Sequence, residues 1–513
     1  MRRSHRYTRS PDHVRLHHFH GGLSLPQHKA DSAEQPIAHC PLPAELNVPL
    51  LQHSGLSAQP AVAIGEQVLA GQLLGTADSG RSAHVHSPAS GTVLAIADGP
   101  LAYPTGLSAP HVRIAVDSPQ RAVTPLPVLD WPHADAAQLI ARAHACGIVG
   151  MGGAGFPSAQ KLLVARDTVI LNGAECEPYI ACDDRLMRDY ANEVVMGGRV
   201  MRRATGAGRV LLALETAMPE ALAACAQAIA ECGDGEIELI VVPTIYPAGG
   251  ERQLIRVLTG NEVPRGGLPR DIGVVVHNVA TARALWRAVA HGEACTRRIV
   301  SVTGPGVQRA GNWDVAVGTP ISHLIAQAGG YTQAAARLII GGPMMGVAVA
   351  NDDYPISKIS NCILVLADGQ LRDPTRELPC IRCGDCARVC PAYLLPQLLL
   401  GEVRGEQWPR AQQQGIFDCI ECGCCDLVCP SQIPLTQHFR YGKSELRVRE
   451  REAERADAAR LRHQQRQQRL TEQQREREQR HTTQQDALTS NAAVDAAIAR
   501  AKARREARGT DLP

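Results

Sequence analysis

The chain has 513 residues and carries 53 Lys and Arg against 51 Asp and Glu, a net charge of +2 at pH 7. That length implies several domains, and the near-neutral balance provides no field that would gather nucleic acid. Apolar residues make up 44% but aromatics only 3%, so the cores must be built from Ala, Val, Leu and Ile, and no apolar run reaches the roughly 18 residues of a membrane span.

Residues 1–35 form a lead-in. Its start, "MRRSHRYTRSPDHVRLHHF", is basic without the apolar stretch of a secretory signal, so a cytoplasmic chain is expected. Its end, "HGGLSLPQHK" at 20–29, reads as irregular and extended. Residues 36–125 read as β-structure. There "AVAIGEQVLAGQLLG" (61–75) and "AHVHSPASGTVLAI" (83–96) form an internal pair that resembles the barrel-sandwich hybrid of lipoyl and biotinyl carriers. Those carriers need a modifiable lysine at a hairpin tip, and none lies between 61 and 96, so a structural role is expected.

Residues 130–295 alternate between two periodicities. "DAAQLIARAHACG", "PEALAACAQAIAECG" and "GERQLIRVLTG" have apolar residues at helical spacing and end in glycine. "DTVILNGAE" and "IELIVVPTIYPAGG" read as buried strands running into loops. The alternation predicts an α/β domain with a largely parallel sheet. Residues 296–350 predict a small β-grasp unit with one helix, "PISHLIAQAGG". Residues 370–440 hold the cysteine runs, with short helices near "YLLPQLLLGEVR" and Trp408. Residues 441–513, rich in Arg, Gln and Glu, lack an apolar seam and predict a solvated, charged helical tail.

Seventeen cysteines in a chain read as cytoplasmic favour metal ligation over disulfides. Eight fall in two runs of C-x2-C-x2-C-x3-C-P: Cys380, Cys383, Cys386, Cys390 and Cys419, Cys422, Cys425, Cys429. This is the spacing of two-cluster bacterial ferredoxins, in which the fourth cysteine of each run ligates the other cluster. One [4Fe–4S] cluster is therefore assigned to Cys380, Cys383, Cys386 and Cys429, and the second to Cys419, Cys422, Cys425 and Cys390. Zinc sites pair C-x2-C elements and do not repeat such blocks. Cys424 is off the spacing and is expected to pack beside the cluster. Cys40, Cys146, Cys225, Cys232, Cys295 and Cys362 read as core residues.

"CGIVGMGGAGFPSAQKL" (146–162) contains G-x-G-x-x-G at Gly150, Gly152 and Gly155. A dinucleotide fingerprint follows a strand, whereas this one follows a helical pattern. Its glycines, Gly153 included, still allow a backbone to approach a flat or phosphorylated ligand.

This loop resembles the glycine-rich loop of the flavin-bearing, NADH-binding subunit of respiratory complex I and its hydrogenase relatives. "LNGAECEPYIACDDR" (171–185), "YPAGGERQL" (246–254) and "HNVAT" (277–281) resemble further segments of that family, in the same order. The resemblance implies FMN and NAD(H) in one cavity of a Rossmann-like domain. Gly150, Gly152, Gly153, Gly155 and Lys161 would contact the cofactors, and Phe156 would line the nicotinamide side. Asn172, Glu175, Asn278 and Thr281 would hold the flavin, and Glu177 and Glu251 would face the dinucleotide. No side chain is needed as a catalytic acid or base. Ala174 stands where that family usually has Asp and Gly250 where it has Glu, so fewer polar contacts to the flavin are expected.

The order of lead-in, hybrid barrel, flavin domain, β-grasp unit and twin ferredoxin runs resembles the C subunits (RnfC) of ion-translocating Rnf (Rsx) electron-transport complexes. This implies a peripheral subunit on the cytoplasmic side of the bacterial inner membrane, passing electrons between NAD(H), FMN and two [4Fe–4S] clusters. Its partners would be the membrane-embedded and ferredoxin-like subunits, which would carry out ion movement. Two other readings remain open: a soluble diaphorase subunit of a hydrogenase or formate dehydrogenase, and an iron–sulfur relay scaffold with a degenerate flavin site.

Overall fold

The computed structural model describes residues 15–77, 81–102, 107–233, 235–371 and 377–508. The first fourteen residues of the expected lead-in and the last five of the tail lie outside the described residues. The chain forms two units, Met1–Phe439 and Arg440–Pro513.

In the first unit, two antiparallel sheets make the barrel. One has the order Glu45–Pro49, Ser108–Val116, Gly91–Pro100, Gln67–Val68, and the other Gln59–Pro60, Leu73–Thr76, Val85–His86. Leu46, Val48, Leu74, Val85, Val93, Val112 and Ile114 fill the space between them.

The α/β domain is built on four parallel strands in the order Ile237–Val242, Arg209–Glu215, Thr168–Gly173, Val274–Asn278. Alternate residues feed two cores. Val169, Leu171, Leu212 and Val275 face a layer of four helices: Ala136–Ala145, Cys182–Thr205, Pro219–Cys232 and Val279–Ala290. Ile170, Leu211, Ala213 and Val276 face the helix Glu251–Thr259 and lead-in residues Leu16 and Phe19. Burial on both faces explains why these strands read as continuous apolar runs. Helix Ala136–Ala145 starts where Asp135 and Gln138 exchange hydrogen bonds in a capping box.

The β-grasp region differs from its expected extent. Its six-stranded sheet takes a central strand, Cys362–Ala367, from beyond residue 350, and an edge strand, Ala38–His39, from the start of the 36–125 segment expected to be barrel. "NCILVLA" is an apolar run separated from the rest of the unit by a polar loop, so chain order hid its place in the sheet.

The lead-in acts as a strap. Gly22 N–H donates to Val389 O (3.0 Å), inside the first cysteine run, and Leu23 pairs with Tyr246 of the α/β domain. Gly21 is required there: at φ +69° it lies so close to Val389 that a Cβ would meet the carbonyl oxygen at 2.4 Å.

Helix Leu435–Thr489 begins within the first unit and continues past the expected boundary at 441. The second unit comprises the rest of it and Asn491–Arg508. Side chains of the tail are exposed nearly throughout, as a helix without an apolar stripe requires.

Candidate functional site

In an open parallel sheet, ligands bind outside the carboxyl ends of the strands where the strand order reverses. Here that point lies between Thr168–Gly173 and Val274–Asn278, whose ends place Asn172 opposite Asn278. The glycine loop folds over it. Gly150 N–H donates to Phe156 O (2.8 Å), which closes a turn over 151–154. Gly152 and Gly153 are exposed, and nothing stands within 4 Å of a Cβ at Gly153. The backbone of this turn is therefore open to a ligand. Gly155 is buried against His53, and its carbonyl accepts from Ser54 N–H (3.0 Å) of the barrel. Phe156 is 38% exposed.

Several polar side chains of the crevice are occupied in shaping loops. Asn172 Nδ2 donates to Gly249 O (2.8 Å), and its Oδ1 accepts from Ala174 N–H (3.1 Å). Asn278 Oδ1 caps helix Val279–Ala290 through Ala280 N–H (2.9 Å), and its Nδ2 donates to Asp183. Thr281 Oγ1 accepts from Met151 N–H (2.9 Å) and so ties down the glycine loop. Lys161 Nζ bridges Val276 O and Glu251 Oε1, each at 3.0 Å, and remains partly exposed, offering positive charge at the crevice. The sequence resemblance assigns Asn172, Asn278 and Thr281 to the flavin; in the structure all three fix the backbone of the crevice.

The acidic loop is buried. Glu175 accepts from Asp183 and Asp184 N–H (3.0 and 3.2 Å) at the start of helix Cys182–Thr205. Burial pushes its carboxyl up to about 7, against the nearby charge of Lys29. The ammonium of Lys29 also donates to Glu175 O. Glu177 is raised by burial as well; its Oε1 accepts from Met344 and Met345 N–H (2.7 and 2.9 Å) and thereby holds a loop of the β-grasp unit. Lys29, Tyr246 and Asp183 lie inside motifs visible in the sequence, yet the motifs did not single them out. The signal for Lys29 was a lysine closing a Gly-Gly-rich motif that no domain had absorbed.

The two cysteine runs share one backbone. Arg382 and Glu421 sit at φ +57° and +58°, Gly384 and Gly423 at +80° and +75°, Tyr393 and Gln432 at +54° and +53°. Left-handed non-glycine residues cost energy, and such turns make concave arrays of N–H groups suited to an anionic cluster. One cavity is lined by Cys390, Cys419, Cys422 and Cys425, with Cys424 beside them. This set crosses between the runs. At the other end, Leu378 N–H donates to Ser431 O (2.9 Å) and Ser431 Oγ to Pro379 O (2.9 Å), which brings the Cys380 loop to Cys429. Cys380 and Cys383 are exposed and Cys386 is buried. The thiol donors and flanking turns fit iron–sulfur cubanes. The open glycine turn, Lys161 and the switch-point crevice fit a flat phosphorylated cofactor.

Similarity to known proteins follows the same layout. The Nuo51 FMN-binding domain matches residues 143–287 and the RnfC barrel sandwich hybrid domain matches 17–119. An SLBB domain matches 299–348 and a 4Fe-4S dicluster domain 378–433. The C subunit of the ion-translocating oxidoreductase complex of Yersinia enterocolitica is 43% identical over 504 residues, 97% of this chain and 72% of that protein. The chain belongs to the family of ion-translocating oxidoreductase complex C subunits. The Erwinia tasmaniensis member is 45% identical over 498 residues, 96% of this chain but 61% of its own length. A solved NAD+-reducing [NiFe]-hydrogenase aligns over 59% of this chain and 63% of its own at 19% identity and a TM-score of 0.42, too slight a likeness to bear on function. Like the family's name, the domain matches place the chain among electron-transfer oxidoreductase subunits. Among the described residues no helix is long and apolar enough to cross a membrane.

Proposed function

We propose that this family member is the NAD(H)-binding electron-transfer subunit of a membrane-bound ion-translocating complex, with one FMN and two [4Fe–4S] clusters. One observation carries the reading. A flavin-type crevice and a cavity lined by a crossed set of ferredoxin cysteines lie in the same compact unit.

FMN bound in the crevice would supply the exchange between the paired electrons of a hydride and the single electrons of iron–sulfur clusters. The open turn Gly152–Gly153 would admit the ring system and phosphate to the backbone. Lys161, held by Glu251 and Val276 O, would place a positive charge near the phosphate. Phe156 would present a half-exposed ring to the nicotinamide. Asn172, Asn278 and Thr281 would keep the loops at fixed spacing. Glu175 and Glu177, with burial raising both carboxyls, would limit negative charge beside an anionic cofactor. The subunit would sit peripherally on the cytoplasmic side of the membrane, with membrane-embedded and ferredoxin-like subunits as partners.

Anaerobically isolated protein, reconstituted with iron, sulfide and FMN, should hold close to eight irons and one FMN per chain. It should then reduce a one-electron acceptor with NADH. Protein with full iron and bound FMN that leaves NADH unoxidised would refute the reading.

A further inference from the structure

We propose that the two clusters have a fixed order. The cubane of Cys390, Cys419, Cys422 and Cys425 is the inner one, which exchanges electrons with the flavin crevice, and Tyr246 is the residue that positions it. The cubane of Cys380, Cys383, Cys386 and Cys429 is the outer one. The proposal rests on the function proposed above.

The ligand loops of the inner set are tied to the α/β domain and to the β-grasp loop that Glu177 holds. Tyr246 is 2% exposed, and its phenol O–H donates to Cys422 O at 2.6 Å. Tyr246 lies on the loop whose Gly249 is held by Asn172 (2.8 Å) and donates to Cys176 Sγ (3.3 Å), so the cluster contact and the crevice contact are made by one short loop. Cys176, Tyr246, Cys422 and Cys424 pack as one buried apolar group. Beside Cys422, Gly423 lies against Met344, whose carbonyl oxygen is 3.1 Å from a Cβ built there, and Met344 N–H is held by Glu177. Beside Cys419, Asp418 pairs with Arg265 at 2.9 Å. Beside Cys390, Pro391 O accepts from Gln253 (3.5 Å) on the helix that begins at Glu251. In the outer set Cys380 and Cys383 are exposed, and Ile381 between them is 68% exposed. Two of the four cysteines that would hold the outer cubane thus lie at the protein surface.

With both clusters bound by their cysteines, single electrons would pass between the crevice and the inner set, then between the inner and outer sets. No bond forms or breaks in these steps, and Tyr246 is neither oxidised nor reduced. Its O–H dipole, aimed at a carbonyl next to the cluster, offsets negative potential there and stabilises the reduced state.

The test uses the full chain, reconstituted as above and followed by electron paramagnetic resonance. Cys383→Ala and Cys419→Ala identify the outer and inner signals by their loss. With NADH, Cys383→Ala should still show a reduced inner cluster. Cys419→Ala should leave the outer cluster oxidised, although dithionite reduces it. Reduction of the outer cluster by NADH at the wild-type rate in Cys419→Ala would overturn the order. Should Cys419→Ala fail to fold, Cys383→Ala still decides the order, because an inner cluster that NADH leaves oxidised in that variant would overturn it, and Tyr246→Phe decides the positioning role. In a dithionite potentiometric titration the inner signal should move to lower potential and the outer should stay. A shift in the outer signal alone, or in neither, would overturn the role of Tyr246. This arm needs no NADH, so wild-type protein that NADH cannot reduce would count against the proposed function and leave this arm to decide on Tyr246.

Discussion

The ammonium of Lys358, 1% exposed, donates to Gly147 O at the foot of the glycine loop (2.8 Å) and to His84 O of the barrel (2.9 Å). With the Ser54–Gly155 bond, this gives the barrel, which lacks a lysine at its hairpin tips, a structural role. It buttresses the glycine loop.

Lys358→Met keeps the side-chain volume and removes both donors. Two carbonyls then lose their partner, at about 1–3 kcal/mol for each one left buried and unsatisfied. Burial lowers the lysine's pKa, so removing its charge returns part of that cost. Differential scanning calorimetry should show a lower melting temperature, and flavin fluorescence titration should show FMN binding weakened by roughly tenfold. Unchanged FMN affinity would remove the barrel's buttressing role.

Gly21→Ala tests the strap. The substitution combines a left-handed backbone, about 1–2 kcal/mol for a non-glycine residue, with a Cβ 2.4 Å from Val389 O. Limited proteolysis should cut the lead-in faster than in wild type. Gly65→Ala is the control: its φ is +86° but nothing lies within 4 Å, so it should leave the strap's cleavage unchanged.

Glu215→Gln should alter the pH dependence of stability. Glu215 is 0% exposed, and burial pushes its carboxyl up from 4.5 to about 7, with Lys29 opposing. Between those values the folded form holds a proton that the unfolded form has lost. Stability therefore falls as pH rises through this window, by up to about 1.4 kcal/mol per pH unit. The melting-temperature advantage of the glutamine variant over wild type should grow from pH 4.5 to pH 7 and level off above. A constant difference across that range would contradict the shift.

Cys424→Ala should leave the iron content unchanged. Cys424 is fully buried and lines the cavity beside Cys422, and the ferredoxin spacing leaves it outside the expected ligand set. Loss of about four irons, one cubane's worth, in this variant would make it a ligand.

The cysteine runs were legible because a cubane's ligands follow one another at short fixed intervals, and such spacing is written along the chain. The parallel strands were legible for a similar reason: burial on both faces turns Thr168–Gly173 and Arg209–Glu215 into apolar runs. The strand Cys362–Ala367 was missed because strand order in a sheet need not follow chain order. The side chains of Asn172, Asn278 and Thr281 illustrate a different limit. A motif names the residues near a crevice but not the hydrogen bonds that already engage them.

By itself, then, the sequence determined the local chemistry: thiolates at cluster spacing, a glycine turn open to a ligand, and the alternation of helix and strand. Only tertiary structure decided how these parts meet. Tyr246 and Cys422 stand 176 positions apart, and Gly21 and Val389 lie still farther from each other along the chain. Contacts of that kind arise from packing several cores together, and no interval along the chain encodes them.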